Sequence, residues 1–137
     1  MAKTKISELS EGGVALGENK FKEGQLLDND IKAGQVVLMT ATGIDVNTLD
    51  NTMLGVMKEH EEVDLDTAIS AAKYGDVVTE GYVAVFIENP GGTYYPGTIM
   101  YKGLTGAMAK TAGGPPFAVL ERTINTGDLV AIVKLLR

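Results

Sequence analysis

The sequence predicts an all-β fold, a small β-barrel or β-sandwich with an extended N-terminal arm and at most one short helix. Three observations carry this expectation. From about residue 25 onward, short runs rich in Val, Ile, Tyr and Phe recur, and clusters of Gly, Asn, Asp and Pro separate them. Glycine accounts for 17 of the 137 residues, which suits a fold with many tight turns. Hydrophobic residues make up 45% of the chain, enough for a packed core within one domain.

Residues 1–24 hold only scattered apolar side chains, Ile6, Leu9, Val14, Leu16 and Phe21, among Lys, Glu, Ser and Gly. Alone, such a stretch buries too little surface to offset its ordering entropy. It reads as an arm, with a short strand at Gly13–Leu16. A frayed terminus has the same composition, but the length and the spaced apolar anchors favour docking onto another chain.

Residues 25–137 read as the β-barrel-like domain. Strands are expected at Gln35–Met39, Leu54–Met57, Asp76–Thr79, Tyr82–Ile87, Thr98–Tyr101, Phe117–Glu121 and Asp128–Leu136. One helix is expected between them, over Thr67–Tyr74, with Asp66 as its cap and Gly75 as its left-handed stop. At about two turns it survives only by packing on the sheet. Gly34, Gly75, Gly97 and Gly127 each stand at the head of an apolar run. Their spacing is too uneven for a solenoid or propeller, so they read as one local solution, a glycine turn that starts a strand, used repeatedly.

Charge and composition exclude several functions. A net charge of −6 argues against sequence-independent nucleic-acid binding, which needs clustered Lys and Arg. Cysteine is absent, which removes disulfides, thiolate metal sites and cysteine nucleophiles. The start, MAKTKISELSEGG, has no apolar h-region, so no signal peptide and synthesis in a cytoplasm are expected. The apolar runs fall far short of the ~20 residues that span a bilayer, and no membrane partner is expected.

Candidate chemistry is thin. GGTYYPG (91–97) and AGGPPF (112–117) are glycine-rich, but neither has the Gly-Lys-Ser/Thr ending of a phosphate loop or leads into a long helix. EHEEVDLD (59–66) gathers Glu59, Glu61, Glu62, Asp64 and Asp66. It lacks the glycine bend of a calcium loop and reads as a solvated acidic loop, with Glu59, Glu61 and Glu62 available to a basic surface on a partner. His60 is the one histidine and Ser7, Ser10 and Ser70 are the only serines; no Gly-x-Ser-x-Gly supports a triad. No catalytic residue, metal site or cofactor is assigned. Tyr82, Phe86, Tyr94, Tyr95 and Tyr101 cluster. The trio Tyr94, Tyr95 and Pro96 reads as a hairpin tip, either an interface loop or a cover for a barrel end.

The order of GQVVLM (34–39), LGVMKE (54–59), AAKYGDVVTEGYVAVFI (71–87) and GDLVAIVKLL (127–136) behind a polar arm resembles the capsid decoration, or cement, proteins of tailed viruses, the lambda-like head decoration family and its relatives. The acidic stretch 59–66 and the 102–116 loop depart from that pattern. The resemblance implies a β-tulip-like structural virion protein with no enzymatic activity, from a bacteriophage or archaeal virus. It would sit as a homotrimer on the outer surface of a capsid, bind the major capsid protein and stabilise the expanded shell. Its arm would add a strand to capsid subunits through Lys5, Ile6, Leu9, Val14, Leu16 and Phe21. Another virion component (a tail-tube, spike or adaptor β-protein) or a ligand-binding β-barrel are the alternatives.

Overall fold

The computed structural model describes residues 2–10, 12–48, 53–88, 91–103, 105–110 and 114–136; residues 112–113 of the AGGPPF loop lie outside these. Among the described residues the chain forms one helical turn, α1 (Ile6–Leu9), and nine strands. These are β1 (Lys20–Leu26), β2 (Val36–Met39), β3 (Ile44–Val46), β4 (Met53–Met57), β5 (Tyr74–Phe86), β6 (Ile99–Lys102), β7 (Met108–Ala109), β8 (Ala118–Leu120) and β9 (Val130–Leu135). They make one curled sheet in the order β3-β2-β4-β5-β9-β8-β6-β7, with β1 paired to the first half of β5. The all-β barrel-like architecture is as expected.

The sheet has two halves of identical connectivity. The antiparallel pairs β2–β3, β2–β4 and β4–β5 are repeated as β6–β7, β6–β8 and β8–β9. Each half curls until a parallel bridge brings its ends together, Leu27 to Ile44 in the first and Ile87 to Met108 in the second. The seam between them is β5 against β9, six paired residues from Gly81–Leu135 to Phe86–Val130. Alternation along β5 feeds two cores: Val77 joins Leu27, Ile31, Val37, Ile44, Met57 and Ile69, while Val78, Val83 and Val85 join a larger cluster with Met100, Leu120 and Val133.

The repeated glycines have a structural basis in this duplication. Four tight turns precede β2, β5, β6 and β9. They are closed by N–H···O=C bonds from Gln35 to Lys32, Lys73 to Ser70, Thr98 to Tyr95 and Asp128 to Asn125. The residue before each turn is bridged to the residue before another, Ile31 to Ile69 in the first half and Tyr94 to Ile124 in the second. The third turn residue is left-handed in all four: Gly34, Gly97 and Gly127, but in the second turn Ala72, at φ 70°. Gly75, expected as that glycine, instead lies inside β5, where a Cβ would meet Met57 Cε at 2.7 Å. A left-handed alanine costs about 1–2 kcal/mol, partly offset by the extra unfolded-state entropy a glycine brings. Ala72→Gly should therefore raise stability by roughly 0.5–1 kcal/mol in urea titrations. Gly97→Ala, whose Cβ meets nothing within 4 Å, should lower it by about 1 kcal/mol.

Two expectations are corrected. The helix over Thr67–Tyr74 is absent: Ile69 is buried and paired with Ile31, and Tyr74 already begins β5. Eight residues cannot nucleate a helix against a competing strand partner that satisfies the same backbone groups. Asp66 caps nothing there and turns toward Ser7. The strands expected at Asp76–Thr79 and Tyr82–Ile87 are one 13-residue strand. Gly81, at φ 100°, bends it without ending it.

Candidate interaction surfaces

The first surface is the N-terminal segment itself. Of this segment, residues 2–10 and 12–19 are described, and α1 packs against both β5 and β9. Glu8 Oε1 accepts from the Thr4 and Lys5 N–H groups at 3.1 and 3.0 Å, which starts α1, and Gly12–Gly13 follow it. Val14–Leu16 then run beside β5: Ala84 N–H donates to Val14 O at 3.0 Å, Leu16 N–H to Tyr82 O at 3.0 Å, and Ala15 bridges Val83. The strand expected at Gly13–Leu16 is thus reduced to this bridge. Ile6 and Val14 are fully buried in the larger core, with Leu9 and Leu16 packed on it. Lys5 is exposed. β1 passes through the boundary expected at residues 24 and 25, its side chains exposed along most of its length, and Phe21 lies under Lys58, whose Nζ is 5.7 Å from the ring centroid.

The acidic stretch is divided between two tasks. Glu59 accepts the Val14 N–H at 2.7 Å and lies 3.6 Å from Lys58 Nζ. Asp66 accepts both the N–H and the hydroxyl of Ser7. These two carboxylates hold the N-terminal segment down. Glu61 and Glu62 are exposed, with Glu62 3.4 Å from Lys73 Nζ. Nothing in the sequence spacing distinguishes the inward pair from the outward one, because the segment they hold is over forty positions away in the chain.

Asp66 on this contact and Glu8 within the segment are held below their ordinary pKa values. For Asp66 the first cause is the Ser7 hydroxyl; burial opposes it, and the Ser7 N–H adds a smaller lowering. For Glu8 it is the Thr4 N–H first, then the Lys5 N–H. A depressed carboxyl contributes its stability above the unfolded pKa and loses it as pH falls through the folded value. The segment should therefore hold at neutral pH and loosen below the ordinary aspartate value of 3.8. The amide protection factor at Ser7 should drop in that acid window, and Asp66→Asn should flatten the drop.

Tyr94, Tyr95 and Pro96 do not form a hairpin tip. Tyr94 is bridged to Ile124 and packs on the core beneath Lys110, whose Nζ is 4.4 Å from its ring centroid. Pro96 and Gly97 are the central residues of the turn into β6. Only Tyr95, 65% exposed, projects as an aromatic contact.

A second surface was not expected from the sequence. An open groove of about 680 Å³ runs beside the bend at Gly81, lined by Leu16, Asn19, Lys20, Glu80, Tyr82 and Lys134 among others. Lys20 and Glu80 form an exposed ion pair at 3.4 Å on its rim. Tyr82 stands between this groove and a smaller one reaching Glu121, Arg122 and Ile132. Among the described residues no three His, Asp or Glu side chains converge in a metal-holding group, and no helix is long and apolar enough to cross a membrane.

No protein-family model and no curated protein matches the chain. Among solved structures, it superposes on a chain of the capsid of Myoviridae phage XM1 with a TM-score of 0.64 at 14% identity, over 88% of this chain and 86% of that one. The two share a fold. The head fiber gp8.5 N base of bacteriophage phi29 gives a TM-score of 0.49 at 13% identity, over 86% of this chain and 99% of that one.

Proposed function

We propose that the chain is a structural, non-enzymatic protein of a tailed-virus head, bound as a homotrimer to the outer surface of the shell, where it stabilises the expanded lattice. The observation that carries this reading is the fold shared with a phage capsid component over 88% of the chain. The resemblance of its Gly-led strand phrases to the head decoration family agrees with it.

In this reading the arm acts through its last part. Ile6 and Val14 are occupied in the chain's own core, so residues 20–26 carry the contact with the shell. β1 pairs only with β5 among the described strands, which leaves its other edge open to a strand of the major capsid protein, with main-chain hydrogen bonds giving affinity and Phe21 giving register. Cementing follows by linkage, since a ligand that binds only the expanded lattice stabilises that lattice.

Co-sedimentation of the purified chain with expanded shells of its own virus tests the proposal. Saturable binding, weakened by Phe21→Asp, is the expected result. A chain that stays in the supernatant at every concentration contradicts it.

A further inference from the structure

The outward face of the second half of the sheet is roofed at one end and bare at the other. Ile99, Val119, Lys134 and Tyr82 lie directly opposite one another across β6, β8, β9 and β5, so they share one face. The alternate residues Met100, Ala118, Leu120, Val133, Leu135 and Val83 are all buried on the other face. Along the outward face, Ala84 and Ile132 are covered where α1 packs on β5 and β9, while Val14–Leu16 extend the sheet beside β5. The cover ends with α1. Beyond it Tyr82 is 41% exposed, Ile99 36% and Leu136 45%.

This bare end has the anatomy of a protein interface, an apolar centre inside a charged rim. The rim is Glu18, Lys20 and Glu80 on one side of Tyr82 and Glu121 with Arg122 on the other. Asn19 Oδ1, under the same groove, is a buried acceptor with no partner among the described residues, and such a group favours an occupant that brings a donor.

We propose that this face is where a second copy of the chain docks, head to tail. The charges decide between arrangements. Lys134 stands in the middle of the row, its Nζ 5.7 Å from the Tyr82 ring centroid. A face-to-face dimer with its twofold axis at Lys134 would set two copies of that charge against each other, which is unfavourable in a desolvated contact. A copy presenting another surface, one rich in carboxylates, neutralises it. The chain carries 18 acidic against 12 basic residues, and its exposed Glu61, Glu62 and Asp64 project from the loop before β5. Placing that loop on Lys134 and Arg122 of the next copy gives a heterologous contact, which closes into a ring when the rotation allows. The inference rests on the trimer proposed above and assigns its contact.

Native mass spectrometry without shells tests it. The wild-type chain should form a closed ring, and Val119→Glu or Ile99→Glu, both on the outward face, should leave a folded monomer. Lys134→Glu should weaken assembly at least about tenfold, and pairing it with Glu61→Lys and Glu62→Lys should restore the ring. A wild-type chain that stays monomeric at about 100 µM overturns the proposal, as do rings that survive Val119→Glu and Ile99→Glu. Lost shell binding with intact rings in those variants also overturns it, by assigning this face to the shell. Rings that depend on Val119, in a chain that binds no shell, would uphold this contact and remove the head-surface function.

Discussion

Ile6→Ala should destabilise the isolated chain by about 2–5 kcal/mol, the range for removing a fully buried aliphatic side chain from a packed core. Ile6 is 0% exposed and belongs to the cluster formed by Val78, Val83 and Val133. It sits so close to Gly34 that a Cβ there would lie 2.5 Å from Ile6 Cδ1. Its loss leaves a cavity between α1 and the sheet, and the bonds from Ala84 to Val14 and from Leu16 to Tyr82 lose the anchor that keeps them formed. Urea unfolding should report the stability, and hydrogen exchange at Ala84 and Leu16 should report local opening. A change within about 0.5 kcal/mol would mean that residues 2–19 are a detachable arm whose burial contributes nothing to the domain.

The second large effect concerns the shell. If three copies bind together, the second and third contacts form at the effective concentration set by the ring. A chain kept monomeric by Val119→Glu should then bind expanded shells about 10²–10⁴-fold more weakly than the ring, with every shell-facing residue intact. Equal affinity of monomer and ring would show that each copy binds alone.

Where β-branched residues alternate or run together, the strands are legible from sequence: β2, β4, β5, β6, β8 and β9 all fall within or beside an expected run. β1 was not, because KFKEGQL exposes almost all of its side chains and is held by backbone pairing to β5. β3 and β7, three and two residues long, are too short to carry a period. The duplication is hidden for a related reason. Its marker is a left-handed residue at each turn, and in the second turn that residue is Ala72, which gives no sign in the sequence. Nor do Ile6, isolated among polar neighbours, and Val14, in a short glycine-flanked run, announce that they belong to the core; only the position of β5 and β9 makes a place for them. The acidic stretch was legible as acidic, but not that Glu59 and Asp66 face inward.

The central claim is a place on the outside of a viral head, and imaging decorated shells by electron microscopy tests it most directly. The account predicts added density on the outer surface at threefold or quasi-threefold positions, three copies to a feature, with the edge of β1 against the shell. Shells that bind the chain on their inner surface, density at a tail or portal vertex alone, or sixfold rings would contradict it.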